Sequence, residues 1–404
     1  VKLNIKDITI ETNLLIVAII SYFLFPRLIG GIRLEDIIFL LTGILFFIKF
    51  LNYKLVYKFI VTDIYLFFLF ISFFLCLYSD IKYLNLDYFN WIYFFKYLTY
   101  FFTIIFGFIC GLNNILEKSI VKKVLFICLG INFLWMLLQL ATGNYIVLLG
   151  ANEAASYGIK MVAEGAAFQV GSVLSLIIFT LILLYFKLKN NFYKFLLIAL
   201  LFLNFYFLFL TESRVNLLGS LVGLILIVIR KINWLSKIIF IFLSLILLNL
   251  ILVLGGVKIN FENNRFTIAG IWDSYNVRGQ EIWAQPLEII SKNIFTGEGL
   301  GALTNFNQNT NEMHNYYLKL LFEGGFFYFI IFIIFIIFIL FFKKNNLYIN
   351  FDYILLLKIF TLSLAISAFV QDSFSSNKAV IPMFFLLGYC IAINICFQRK
   401  KVDE

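Results

Sequence analysis

The chain has 404 residues, 63% of them hydrophobic and 13% charged, with a mean hydropathy of +0.98 and a formal net charge of +10. Soluble globular domains sit near half apolar and a quarter charged, so a soluble fold is excluded; 52 Phe against 3 Pro indicates an all-α integral membrane protein. The positive charge does not point to nucleic acid, because the basic residues fall in short loops between apolar runs, where membrane proteins set their orientation. Cys76, Cys110, Cys128, Cys390 and Cys396 lie in or at the ends of apolar runs without CxxC spacing. They read as small buried hydrophobes, not as a disulfide frame or metal site.

A membrane span needs about 20 mostly apolar residues. The pattern predicts about twelve, at 12–29, 35–50, 60–78, 90–111, 122–142, 166–186, 194–211, 214–230, 237–254, 318–342, 353–370 and 379–397, in a single polytopic domain over residues 1–404. Spans 2 and 8 are short enough to be partly re-entrant. The first run ends at Pro26-Arg27 without a small-residue cleavage site, so it reads as a span and not as a signal peptide. With the N-terminus inside, the inside segments are the basic ones, as in Lys118, Lys122 and Lys123 or Arg399, Lys400 and Lys401. This predicts cytoplasmic N- and C-termini.

Three polar intervals then face outside. Residues 143–165 carry Glu153, Lys160 and Glu164; residues 211–214 (TESR) are a tight turn between spans 7 and 8; residues 255–317 form a large segment between spans 9 and 10. Within the last, Gln280 to Ile294 has helical spacing, with Ile282, Trp283, Leu287, Ile290 and Ile294 largely on one side. This predicts a helix in the membrane interface plane. GEGLG at 297–301 ends it, and the Asn-, Gln- and Thr-rich residues 302–311 read as a loop.

An ionisable group at membrane depth costs roughly 2.5–3.5 kcal/mol on insertion scales, so each needs a reason. Arg214 in TESR is either an arginine snorkelling to the headgroups or a phosphate ligand, its five donors matching phosphate oxygens, with Thr211 and Ser213 adding hydroxyls. Arg278, followed by Gly279, is a candidate of the same kind, or a solvated loop charge paired with Glu281; Arg265 is a weaker one. His314, the single histidine, opens span 10 and has the residue type of a general base, against the plain reading of an interfacial histidine held by Asn315 or a carbonyl. Asn315 would orient either a sugar or that histidine. Glu323 lies too far along the helix to act on the same atom and reads as capping or packing. Lys96, in span 4, either snorkels outward or adds positive potential outside, to which Arg27 and Arg33 would contribute; Gln371 and Asp372, with Lys378 nearby, would bind sugar hydroxyls. No HExxH, Cys/His cluster, P-loop or Rossmann fingerprint is present, so no metal or cofactor is expected.

Three stretches, TESRVNLLGSLVG at 211–223, RGQEIWAQPLEIISKNIFTGEGLG at 278–301 and HNYYLKLLFEGG at 314–325, resemble in order and topology the O-antigen polymerase and O-antigen ligase family of bacterial envelope assembly. The resemblance covers about residues 205–340. It departs at Asn293-Ile294-Phe295, where a proline-containing turn is common. It implies metal-independent, inverting glycosyl transfer at the periplasmic face of the bacterial inner membrane. The donor would be a polyprenyl (undecaprenyl) pyrophosphate-linked glycan, with Arg214 and Arg278 holding its pyrophosphate and His314 deprotonating or positioning the acceptor hydroxyl. The expected activity is that of a polymerase extending a lipid-linked repeat unit; the alternatives are a ligase acting on lipid A–core or a related oligosaccharyltransferase. Expected partners are the lipid-linked donor and acceptor, membrane lipid and a chain-length regulator protein, with no nucleic acid. A flippase or transporter is the alternative from another class; no inverted repeat and no mid-span charge pair supports it.

Overall fold

The computed structural model describes residues 10–25, 33–52, 60–83, 88–149, 158–164, 166–211, 213–231, 276, 278–303, 313–342 and 352–403. These residues are helical without a strand, apart from an isolated bridge between Met161 and Glu164. The helices are α1 (Ile10–Leu24), α2 (Leu34–Asn52), α3 (Ile60–Tyr83), α4 (Tyr88–Leu112), α5 (Ser119–Thr142), α6 (Ala167–Lys187), α7 (Asn191–Leu210), α8 (Arg214–Lys231), α9 (Ala284–Lys292), α10 (Tyr316–Leu340), α11 (Tyr353–Ser367) and α12 (Asn377–Asp403). Each predicted span coincides with one of them except the ninth, 237–254, which lies outside the described residues. Spans 2 and 8 are continuous helices of 19 and 18 residues. Among the described residues, α3 to α7, α10 and α12 are long and apolar enough to cross a membrane, and α1, α8 and α11 are shorter apolar helices. The chain is an all-α integral membrane protein.

Contacts sort the connections to two ends. At one, Lys118 donates to Thr12 (3.1 Å), Tyr353 donates to Glu117 (2.7 Å) and Glu117 pairs with Lys122 (2.6 Å). These bonds join the starts of α1, α5 and α11, which are predicted inside. At the other, Lys378 in the first turn of α12 pairs with Glu35 of α2 (3.3 Å), and Gln139 at the end of α5 donates to the Lys160 carbonyl (2.8 Å). This end gathers the loops predicted outside. Between them lies an aromatic core joining α3, α4, α10 and α12. Phe68 stacks on Tyr328 with ring centroids 4.4 Å apart, and Phe384 stacks on Tyr100 (5.3 Å) and Phe335 (5.7 Å). Each such pair adds about 0.5–1.5 kcal/mol beyond its buried area. Cys76, Cys110, Cys128 and Cys390 are buried free thiols.

Near its outer-loop end α10 is broken. Gly325 has φ 70 and ψ −171, a conformation that side chains with a Cβ disfavour. The Phe326 N–H, which an unbroken helix would direct at Phe322, donates instead to the Ile294 carbonyl (2.7 Å). The carbonyls of Phe322 and Glu323 accept the N–H groups of Glu298 and Gly299, both at 2.8 Å. The GEGLG turn is therefore docked, backbone to backbone, into the break. Its own left-handed residues, Gly297, Gly299 and Gly301, let it sit against α10, Ser79 of α3 and Asn90 of α4.

Glu298 is the charged residue of that turn. It accepts from Lys82 Nζ (2.5 Å), Tyr83 OH (2.5 Å) and Asn293 Nδ2 (2.6 Å). Burial pushes its carboxyl pKa up, but these three donors outweigh burial and hold it below the usual carboxylate value. A depressed folded-state pKa contributes stability that is present above the unfolded value, about 4.3 for Glu, and is lost as pH falls through the folded value.

Two outcomes follow. Gly325→Ala places a Cβ 2.3 Å from the Phe295 carbonyl oxygen in a strained conformation worth about 1–3 kcal/mol. It should lower the melting temperature of detergent-solubilised protein by several degrees, whereas Gly130→Ala, with open space around it, should not; equal melting of the two variants would mean the break is dispensable. Glu298→Gln should melt lower than the parent at pH 7, and the difference should shrink as pH is lowered below the usual carboxylate range.

Candidate active site

α10 begins at an asparagine cap. Asn315 Oδ1 accepts from the Tyr317 and Leu318 N–H groups, both at 3.1 Å, satisfying two donors that a helix start leaves open. His314, immediately before it, adopts φ 51, a left-handed backbone that costs a non-glycine residue about 1–3 kcal/mol. The half-buried imidazole thus stands just outside a helix N-terminus, where the dipole favours negative charge. Asn315 is committed to the cap through its oxygen, so the structure gives it the role of holding the backbone beneath His314.

Arg278 opens a six-residue π-helical turn, Arg278–Trp283, that leads into α9. The wider turn sits where Pro286 removes an N–H from the helical ladder. Trp283 Nε1 donates to the Met313 carbonyl at 2.8 Å, so the turn that carries Arg278 is pinned to the residue before His314. Underneath, Ile290 of α9 packs with Ala302, Leu303, Met313 and Phe322 in a separate apolar cluster. The helix predicted over Gln280–Ile294 is present, beginning two residues earlier than expected and ending at Lys292. Its apolar face is divided: Ile290 is buried, while Leu287, Ile294 and Phe295 stay exposed, Phe295 with its ring against Phe326 and Phe327 of α10. The side chain of Glu281, the alternative partner for Arg278, lies outside the described residues.

One turn into α10 stands a buried charge cluster. Lys319 is 1% exposed, with its ammonium 3.9 Å from Asp372 Oδ2 and 3.9 Å from the centre of the Tyr93 ring. Lys96 lies over the same ring at 5.4 Å. Glu323, 0% exposed, accepts the Gly301 N–H at Oε1 (3.1 Å), while its Oε2 meets no hydrogen-bond partner among the described residues. The Tyr316 N–H donates to the Ala368 carbonyl (2.9 Å) and Tyr317 OH to the Ala365 carbonyl (2.7 Å). These bonds seat the start of α10 against the loop that carries Gln371 and Asp372. His314, Asn315, Lys96, Gln371 and Asp372 are thus brought to one region, with the Arg278 turn tied to it.

Arg214 begins α8 on a second patch at the same end. The Thr211 hydroxyl is buried and donates to the Leu208 carbonyl (2.7 Å), closing α7, and Ser213 Oγ accepts from Asn216 Nδ2 (2.9 Å). Both hydroxyls therefore shape the turn. The Ile159 N–H donates to the Leu210 carbonyl (3.0 Å), laying residues 158–164 beside it. Glu164 at the end of that segment pairs with Arg33.

Arg33, expected with Arg27 on an open electropositive surface, is 2% exposed. It is held by Glu164, by Gln169 (2.5 Å) and by Glu35 (3.8 Å). Burial works against its charge, and Glu164 and Glu35 outweigh burial, so the guanidinium holds its proton more tightly than usual. The network continues through Lys378 and through Asn377, which donates to Asp36 (2.6 Å) and accepts from Tyr100 OH (2.7 Å). Arg27 and Arg265 lie outside the described residues. Lys319 and Glu35 were missed in the sequence. The signal for the first is the Lys319/Glu323 pair, four residues apart at the head of an otherwise uncharged span.

An apolar groove of about 460 Å³ runs along α3, lined by Phe67, Phe70, Ile71, Phe74, Leu75 and Tyr78, and reaches Thr296 of the segment after α9. Among the described residues, no three His, Cys, Asp or Glu side chains come together as a metal site. The outer-loop end thus combines an imidazole at a helix N-terminus, guanidinium groups on two separate turns and a lateral apolar groove, groups of the kinds that bind an anionic head, accept a proton and seat a lipid chain.

No curated protein matches the chain. Residues 197–333, about a third of it, match the family described as O-antigen ligase. That interval takes in TESR, the Arg278 turn, GEGLG and the His314 helix start. Over residues 197–333 the chain is therefore similar to the O-antigen ligase family, in keeping with the polymerase and ligase family that the three motifs resemble.

Proposed function

We propose that the chain is an O-antigen polymerase, transferring a polyprenyl pyrophosphate-linked glycan onto a lipid-linked repeat unit at the periplasmic face of the inner membrane. The observation that carries this reading is the Trp283–Met313 hydrogen bond, which couples the Arg278 turn to His314. Transfer breaks the bond between the sugar C1 and the pyrophosphate oxygen and forms one from C1 to the acceptor oxygen on the opposite face. The leaving pyrophosphate gains negative charge, which Arg278 and Arg214 stabilise. The acceptor hydroxyl loses its proton to the His314 imidazole. The groove on α3 suits the isoprenoid tail of one substrate.

A second reading, ligation to lipid A–core, is favoured by the description of the matching family. The polymerase reading is preferred for the Phe-, Ile- and Asn-rich composition, which such polymerases share. Lipopolysaccharide banding of a deletion strain separates the two: core plus one repeat unit supports the polymerase, bare core with chains left on carrier lipid supports the ligase, and an unchanged ladder sinks both.

His314→Ala and Arg278→Ala should fold and reach the membrane yet lose long-chain glycan on complementation. With purified protein the histidine variant should be slower by about 10²–10⁴-fold, the range for a lost general base. Wild-type ladders from both would refute the assignment. Arg214→Lys keeps the charge but not the forked geometry; loss of activity would support phosphate binding, and full activity a snorkelling role.

A further inference from the structure

We propose that Glu323 is a positioning residue for this transfer: its Oε1 clamps the 297–301 turn to the break in α10 and so sets the backbone that carries Arg278 and His314. The inference rests on the glycan-transfer reading of the site. Glu323 grips the turn twice, its carbonyl accepting the Gly299 N–H (2.8 Å) and its side chain the Gly301 N–H (3.1 Å). The same turn meets α3 through the Leu300 N–H, which donates to the Leu75 carbonyl (3.2 Å).

From this anchor the chain runs both ways to the proposed chemistry. Backwards, α9 leads to the Arg278 turn; forwards, the chain reaches Met313 and His314, and Trp283 ties the two together. A carboxylate enclosed this deeply needs a reason to be one, since burying a charge is costly without partners. Packing alone would be served by an apolar residue. Here Lys319 stands one turn before it on the same face of α10, with Asp372 across, and the carboxyl oxygen meets an amide that the left-handed Gly301 turns toward it. A side chain acceptor on α10 is thus what registers the turn against the helix that begins at His314.

The test uses full-length protein in nanodiscs and needs two readouts. The first is amide hydrogen exchange over residues 295–303 without substrate. Glu323→Ala should expose the Gly301 amide, with exchange about fivefold faster for a loss of roughly 1 kcal/mol, while Glu323→Gln, which keeps an acceptor at Oε1, should stay near the parent. The second is steady-state transfer from a polyprenyl pyrophosphate-linked glycan, normalised to monodisperse protein. Glu323→Ala should lose about 100-fold in kcat, the scale for a misplacement of about 1 Å, with a smaller change in KM, and Glu323→Gln should recover most of it. Should the alanine variant not fold, Glu323→Asp, one methylene short of the amide, carries the same expectation. Unchanged exchange, wild-type kcat in the alanine or aspartate variant, or a glutamine variant as slow as alanine would each overturn the proposal. His314→Ala, run alongside, separates the two levels. If it transfers glycan as well as the parent, the glycan-transfer reading of the site fails, while the exchange data still decide the clamp.

Discussion

The break in α10 is the constraint on which the outer-loop end of the molecule depends. A helix that stops hydrogen bonding to itself inside the protein leaves carbonyls that cost about 1–3 kcal/mol each if buried without a partner. Here the Phe322 and Glu323 carbonyls are taken by Glu298 and Gly299, and the freed Phe326 amide by Ile294. The break and the glycine turn are complementary halves of one structure: α10 supplies acceptors that only an extended, close-lying backbone can reach. The turn reaches them because Gly297, Gly299 and Gly301 adopt left-handed conformations at contacts where a Cβ would clash.

From that joint the polar groups spread as a connected layer. Glu298 reaches Lys82, Tyr83 and Asn293; Lys319 and Asp372 join α10 to the loop before α12; Asn377 and Lys378 carry the contacts on to α2; Arg33 and Glu164 bring in the segment beside TESR. Charges at this depth are tolerated because each cation faces a carboxylate or an aromatic ring. Arg33, Lys319 and Lys378 are buried in internal pairs, and Arg278 and Arg214 start their helical turns at half-buried positions.

Below this layer the molecule is an aromatic scaffold. The stacked and edge-on contacts of Phe68, Tyr328, Phe332, Phe335 and Phe384 fill the space between α3, α4, α10 and α12. In a bilayer, burial of apolar surface does not by itself drive helices together, since the lipid is equally apolar; shape-matched packing and buried hydrogen bonds do. Tyrosine serves both needs, as Tyr65 donates to the Tyr97 carbonyl and Tyr328 shares a hydrogen bond with Ser72. The exposed apolar side chains after α9 and after Gly325 carry apolar surface up to the turn.

The sequence by itself determined the helical membrane class, the helices of eleven of the twelve predicted spans and the three motifs, because hydropathy and residue spacing are local properties written along the chain. The helix before GEGLG was legible for the same reason, through its apolar period. Arg33 was not: its neighbours in sequence read as an outer loop, and the carboxylate that neutralises it is Glu164, far away in the chain. Nor was the role of Thr211, Ser213 and Asn315, whose oxygens turned out to shape the helix ends they flank. Glu323 was legible as a residue that caps or packs but not as the partner of Gly301. Only the tertiary structure decided which charges are internally paired, and which turn docks into which helix, because burial and long-range hydrogen bonding exist only once α3, α4, α10 and α12 are packed together.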